Sequence, residues 1–305
     1  MPNTSKHNQN AKPFLKWAGG KTQLIAAIES HLPKNIESLK DLTYIEPFIG
    51  SGAVFFWFIQ KFGIKKAIIN DINTDLINVY QAIKEVPESL INYLNIIEKD
   101  YYALGTEEEK QAYFLTNRTK FNLKKAELVE LASLFIFLNR TCYNGLYRVN
   151  SKNIFNVPFG KYVKPKISDP TNILAISKLL QNVTILNGDY TQTLKHCTKN
   201  SFFYFDPPYK PISATSSFNA YAKGSFNDQE QIRLADFTEL LTQKKHLWLL
   251  SNSDPKNNNP ADAFFDELYG RNLNTILRVK AKRMINSNAT KRGEINEILI
   301  MNYPV

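Results

Sequence analysis

From Leu42 to Asp71 the chain alternates in a way that few folds accommodate. Leu42-Thr43-Tyr44-Ile45-Glu46 has the pattern of a strand and runs into Pro47-Phe48-Ile49-Gly50-Ser51-Gly52, followed by an apolar helix from Ala53 to Phe62 that Gly63 ends. A second strand, Lys66 to Asn70, closes on Asp71. Strand, glycine-rich turn, helix and strand make the opening unit of a nucleotide-binding sheet. Asp71 lies 19 residues beyond Gly52, where an acidic side chain accepts from both ribose hydroxyls of an adenosine-containing cofactor. A dinucleotide fingerprint would carry a third glycine, yet Gly50-Ser51-Gly52-Ala53-Val54 is followed by Phe55. That bulk argues against a pyrophosphate and suits an adenosine cofactor without phosphates. A bare tight turn would account for the two glycines equally well.

A further strand pattern, Ser201-Phe202-Phe203-Tyr204-Phe205, ends in Asp206-Pro207-Pro208-Tyr209. A buried parallel strand runs out at the sheet's carboxyl edge, where open α/β sheets bind ligands. Two prolines fix φ and remove two N–H donors, leaving a stiff turn with free carbonyls between a carboxylate and a planar ring. Such a turn accepts from an exocyclic amine: a flat heterocycle stacks on Tyr209 while its NH2 donates to Asp206 and to the Pro207 carbonyl. A strand-ending turn capped by an aspartate is the plain alternative.

Elsewhere the chain supports the same reading. Residues 1–12 are polar and expected to be disordered, after which Phe14-Leu15-Lys16-Trp17-Ala18-Gly19-Gly20-Lys21 opens a helix expected to continue towards Leu32. Gly20-Lys21-Thr22 invites a P-loop reading, but that motif needs a glycine where Leu15 stands. From Asn73 to about Lys120 the pattern is helical and amphipathic, with a capping box at Thr106 and Glu109. Residues 118–166 hold ten Lys or Arg against two Glu, with aromatics interleaved, the signature of a nucleic-acid surface, although a solvated basic face shares it. Within this stretch Asn144-Gly145 suggests a hairpin turn presenting Tyr143, Leu146 and Arg148. A third strand, Val183 to Leu186, ends at Asn187-Gly188-Asp189-Tyr190, where Asp189 could take a cofactor's adenine amino group, although a surface turn accounts for Asn-Gly-Asp equally well. Lys210 to Ser225, with Phe218 and Tyr221 as isolated aromatics, reads as a loop, either a lid that orders over a ligand or a fixed, packed loop. A strand at His246–Leu250 and a pair near 276–281 and 297–303 complete the sheet.

The formal net charge of +10 over 305 residues favours a polyanionic partner. Cys142 and Cys197 belong to no metal-binding spacing, so neither a zinc site nor a disulfide framework is indicated. Without an apolar run long enough for a bilayer, the expectation is a cytoplasmic protein.

Taken in order, these motifs resemble the Dam-type, D12-class DNA adenine-N6 methyltransferases. The matches are Phe14 to Lys21, Glu46 to Gly52, the Asp71 strand end, Tyr143-Asn144-Gly145-Leu146-Tyr147-Arg148, Phe155 to Tyr162, Gly188-Asp189-Tyr190, Asp206 to Tyr209, and Arg292-Gly293 before the last strand. The resemblance implies an α/β fold: a Rossmann-like seven-stranded methyltransferase sheet with one reversed strand and an inserted, mainly helical target-recognition domain. It places the catalytic domain at residues 1–74 and 166–305 and the recognition domain at 75–165. S-adenosylmethionine is the implied donor and double-stranded DNA, read at GATC, the implied substrate. The resemblance further implies a monomer, nucleoid-associated in a bacterium and separate from any cognate restriction endonuclease.

Carried over residue by residue, the resemblance assigns catalysis to Asp206, Pro207 and Tyr209, and cofactor binding to Trp17, Ala18, Lys21, Phe48, Gly50, Asp71, Asp189, Tyr190 and Asp206. DNA contacts fall to Lys16, Tyr143, Asn144, Leu146, Arg148, Pro158 and Tyr162. Cys142 and Tyr147 flank the shared core of the recognition motif at positions where relatives vary. Rival classes are a cytosine-N4 methyltransferase, which more often carries Ser at position 206, a nicotinamide oxidoreductase, which lacks its third glycine here, and a DNA-binding protein without activity.

Overall fold

The computed structural model describes residues 10–17, 21–39, 41–210, 226–270, 274–282 and 294–304. Ala18, the Lys210–Ser225 lid beyond Lys210, and Arg292-Gly293 therefore lie outside the described residues. Helix α1 spans Ile25–Ser30 after a 3-10 turn at Lys21–Gln23, shorter than the run expected from Phe14 onward. Strand β1 (Thr43–Glu46), helix α2 (Ala53–Phe62) and strand β2 (Lys66–Asp71) follow where the pattern puts them. Gly63, at φ +60, ends α2 as a left-handed cap.

Helices α3 (Thr74–Glu85), α4 (Pro87–Ala103), α5 (Glu107–Leu123), α6 (Leu128–Thr141) and α7 (Pro170–Leu180) come next. Their starts are written locally. The Asn73 side chain accepts from Leu76 N–H, and the Thr106/Glu109 capping box closes in both directions. Strand β3 (Val183–Asn187), strand β4 (Ser201–Phe205), helix α8 (Asp228–Gln243), strand β5 (Leu247–Ser253), helix α9 (Phe264–Gly270), strand β6 (Thr275–Lys282) and strand β7 (Glu294–Met301) complete the chain.

The seven strands form one sheet in the order β3-β2-β1-β4-β5-β7-β6. Strand β1 pairs in parallel with β2 and β4, and β4 with β5, whereas β7 runs against both β5 and β6. Every residue of β1 and β4 is buried, as their unbroken apolar runs require of central strands. The order reverses between β1 and β4, so the chain leaves both strands at a topological switch point.

The chain divides into two compact units, one of Met1–Gly20, Gly50–Gln60 and Asn73–Asn187, the other of Lys21–Ile49, Lys61–Ile72 and Gly188–Val305. In the first, α6 is buried almost throughout and packs against α3, α4 and α5, with Phe137 edge-on to Tyr101 and Tyr113. The second holds β1, β2 and β4 to β7, with α8 against β5 and α9 against β6.

Candidate active site and nucleic-acid interface

In the second unit, Asp206 leaves β4 with its side chain 23% exposed, and three groups converge on it and on Tyr209. The Lys21 ammonium lies 3.0 Å from Asp206 Oδ1 and 4.2 Å from the centre of the Tyr209 ring. Ser251 Oγ, on β5, donates to Asp206 Oδ1 at 3.2 Å and contacts the Tyr204 hydroxyl at 2.9 Å. The Tyr209 hydroxyl donates to Glu297 Oε2 on β7 at 2.6 Å, so the ring is held at its far end. Burial pushes the Asp206 carboxyl above its ordinary range, and Lys21 offsets part of that rise. Side-chain bonds to the backbone hold the turn itself: Gln231, fully buried, donates through Nε2 to the Pro208 carbonyl, and Asn252 Oδ1 accepts from Lys210 N–H. The Pro207 carbonyl accepts from no described residue.

Beside this site, at the ends of β1 and β2, Asn70 is 1% exposed and acts as a clamp. Its Nδ2 donates at 3.0 Å to both the Pro47 and the Gly188 carbonyls, and its Oδ1 accepts from Gln192 Nε2 at 2.7 Å. Gly188, at φ +136, also donates to the Asp71 carbonyl. Phe48, Asp71 and Asp189 are thereby fixed along one edge of the sheet. Phe48 is half-buried, with Tyr190 at 5.2 Å and Phe226 edge-on at 5.6 Å. Tyr190 itself is buried, so it backs this cluster. Both Asp189 oxygens face Arg233, at 2.8 and 3.3 Å, which holds its carboxyl down to about 2. Ile72, beyond Asp71, is 75% exposed, an aliphatic side chain left bare at the carboxyl end of β2. A carboxylate, an aromatic face and an exposed aliphatic side chain have the chemistry to fit an adenosine group.

In the first unit, Asn139 on α6 joins two segments far apart in sequence. Its side chain accepts from Lys16 N–H at 2.9 Å and donates to the Lys16 and Gly145 carbonyls at 2.8 and 2.9 Å. Asn144 and Gly145 both have left-handed φ, 54° and 61°, and Leu146 N–H closes the turn on the Tyr143 carbonyl. This turn does not reverse the hairpin, as the sequence suggested. Cys142 faces Phe159 and Val149 faces Phe155, so the reversal falls at residues 150–154, where Asn150 Oδ1 accepts from Lys152 and Ile154 N–H. The physical reason lies in Gly145: a Cβ there would stand 2.3 Å from Lys16 Cβ, so Asn144-Gly145 forms a kink that lets Lys16 pass.

The second arm alternates, Phe155 and Val157 buried, Asn156 and Pro158 exposed. Exposed Arg148 is held by Asn156, through Nε to Oδ1 at 2.7 Å. Tyr143 is 54% exposed, and the Lys16 ammonium sits 3.8 Å over the Tyr162 ring. The proposed DNA residues thus share one hairpin and the segment packed on its kink. Trp17 and Gly50 also belong to this unit and touch: a Cβ on Gly50 would meet Trp17 Nε1 at 3.1 Å.

Asn70, Asn139, Asn156, Ser251, Glu297 and Arg233 were not singled out from sequence. Each is a polar residue whose partner is chosen by tertiary structure. Only the strand-end position of Asn70 and the unbroken Ser251-Asn252-Ser253 run after β5's apolar core offered a signal.

A sheet in which β7 runs against its neighbours β5 and β6, with a carboxylate, two prolines and a pinned tyrosine at the switch point, is the arrangement that the resemblance implies for a methyltransferase acting on an amino group. The D12 class of N6 adenine-specific DNA methyltransferases matches residues 17–285. A type II methyltransferase of Methanocaldococcus jannaschii, M.MjaIII, is 48% identical over 96% of this chain and 99% of its own length. Another, M1.LlaDCHI of Lactococcus lactis, is 38% identical over 98% of both chains. A DNA adenine methylase of Vibrio cholerae is 33% identical over 96% of each. The chain belongs to the D12 class of N6 adenine-specific DNA methyltransferases. Among the described residues, no helix is long and apolar enough to cross a membrane.

Proposed function

We propose that this adenine-specific methyltransferase transfers a methyl group from S-adenosylmethionine to N6 of an adenine flipped out of double-stranded DNA at GATC. The observation that carries the reading is the convergence of Lys21, Ser251 and Glu297 on Asp206 and Tyr209. When bound, S-adenosylmethionine supplies an electrophilic methyl group. Lys21, Phe48, Asp71, Asp189 and Tyr190 would hold it, and Trp17, Ala18 and Gly50 are assigned to it by the resemblance. Asp71 would take the ribose hydroxyls, and Asp189 Oδ2, which accepts one bond from Arg233, keeps capacity for an amino group.

Adenine N6 is a poor nucleophile and is buried in the duplex, so flipping costs a few kcal/mol. Stacking on Tyr209, worth about 1 to 3 kcal/mol, offsets that. Acceptance by Asp206 and the Pro207 carbonyl favours the pyramidal, cationic nitrogen of the transition state. Ser251 and Lys21 aim the Asp206 carboxylate, and Glu297 fixes the Tyr209 ring plane. Residues 75–165 are assigned to target recognition, and the enzyme is taken to work as a monomer on cytoplasmic, nucleoid DNA, apart from any cognate endonuclease. Sequencing that reports N6-methyladenine in DNA from cells expressing the protein should show it at GATC; modification confined to another sequence would refute that specificity.

Two further outcomes are expected. Because the Asp206 carboxyl is raised in the folded protein, activity should fall with acid at a pH above the ordinary carboxylate range. The sign is opposite for stability: a raised carboxyl costs folding energy while ionised, so the same acidification relieves that cost. A pH–rate profile with its acid limb at or below the usual Asp value would contradict this. The exposed guanidinium of Arg148, aimed by Asn156, is assigned to a base edge, where a bidentate contact gives about 1 to 3 kcal/mol of discrimination. Arg148→Ala should therefore relax sequence choice by roughly ten- to a hundredfold; equal weakening on all sequences would make it a phosphate contact.

A further inference from the structure

Tyr147 lies between Leu146, assigned to DNA contact, and Arg148, the proposed base reader, and its own ring packs on Phe135 of α6. Its ring is stacked on Trp17 at 5.9 Å and 17°, and on Phe135 of α6 at 5.2 Å and 30°. Phe155, on the opposite arm, lies 5.9 Å away, next to the Asn156 that holds Arg148. The Tyr147 hydroxyl donates to Asp75 Oδ2 at 2.9 Å, and Asp75 Oδ1 takes Lys124 at 2.7 Å. Trp17 in turn rests on Gly50, in the glycine turn after β1, where a nucleotide-binding sheet meets its ligand. One ring therefore packs against both the residue that covers the cofactor turn and the arm that aims the base-reading arginine.

We propose that Tyr147 is a positioning residue that couples cofactor binding to sequence discrimination. The inference rests on the reading that the Gly50 turn contacts S-adenosylmethionine. A ligand seated on that turn restrains Trp17, and the Trp17 plane restrains Tyr147. Leu146 and Arg148, joined to Tyr147 through the backbone, are then held at one register against the base edges. By linkage the effect is reciprocal, so cognate DNA tightens the cofactor by the same factor. Chemistry is thus favoured when donor and correct sequence are both present.

The test measures the affinity of the full chain for a cognate duplex and for the same duplex with one base pair changed, with and without S-adenosylhomocysteine. For the unaltered protein, the unreactive product should raise the cognate-to-altered affinity ratio by about fivefold or more. Tyr147→Leu, which keeps apolar volume but has no plane to stack, should bring that gain to within twofold of unity. Tyr147→Phe keeps the ring and loses the hydroxyl that donates to Asp75, so it should retain the gain. If Tyr147→Leu does not fold, Tyr147→Met removes the plane with a flexible side chain of similar volume. A residue of merely structural importance would lower the melting temperature and all affinities together and leave the gain untouched; that result overturns the proposal, as does a gain of one in the unaltered protein. If the unaltered protein binds neither S-adenosylhomocysteine nor DNA, the functional reading itself fails and takes the coupling with it.

Discussion

Asp206→Ala should reduce methyl transfer by about a hundred- to a thousandfold while leaving the protein folded. An acceptor aimed at charge that develops in the transition state is worth about 2.7 to 4 kcal/mol when removed alone, and the Asp206 carboxylate is such an acceptor. Folding is expected to survive with a loss of stability. The ionised carboxylate is itself costly to bury, but its removal takes a partner from the buried Lys21 ammonium, a change that costs about 3 to 5 kcal/mol where nothing else compensates, and here the Tyr209 ring still faces that ammonium at 4.2 Å. The change also removes no core volume, since Asp206 follows the last residue of β4. Single-turnover rates beside melting temperatures would check both halves. A rate within tenfold of the unaltered protein would remove Asp206 from the chemistry, and global unfolding would show that its pairing with Lys21 is structural.

Asn70→Ala should cut cofactor affinity by tenfold or more, although no role in contacting the cofactor is assigned to Asn70. The substitution strips a donor from the Pro47 carbonyl, another from the Gly188 carbonyl and an acceptor from Gln192. Leaving buried groups unsatisfied costs about 1 to 3 kcal/mol each, so a stability loss on the order of 3 kcal/mol is expected. The affinity loss follows because the freed backbone carries Phe48 on one side and Asp189 on the other, and Asp71 is the next residue along β2. Calorimetric titration with S-adenosylhomocysteine, below the melting transition of the variant, separates the two effects. Affinity equal to that of the unaltered protein would mean that the edge is held by other contacts.

The sheet was legible because its signals are local and redundant. An apolar, aromatic run such as Ser201–Phe205 is either a buried strand or a helix segment, and five residues before two prolines that no helix continues through is a strand's length rather than a helix's. The Asp71 strand end, the Gly63 stop and the Thr106 capping box all fell where the side chains dictate. The hairpin was misjudged for a reason the residues themselves could not reveal. Asn144-Gly145 has the backbone a tight reversal uses, but it is needed to admit Lys16, a contact between residues 129 positions apart. The first helix came out short because its apolar spacing spans Gly19-Gly20, and the regular helix begins only at Ile25. Glu297 and Ser251 escaped notice because each gains its meaning from a strand pairing, β5 against β7 for one and β4 against β5 for the other. A carboxylate on the last strand carries no sign that a tyrosine 88 positions earlier will donate to it.

The most direct test is transfer of a labelled methyl group from S-adenosylmethionine to double-stranded DNA, followed by digestion to nucleosides and identification of the labelled one. The expected result is label in N6-methyladenine alone, dependent on the intact chain and lost in Asp206→Ala. Label in N4-methylcytosine, or none above the Asp206→Ala background, would contradict it.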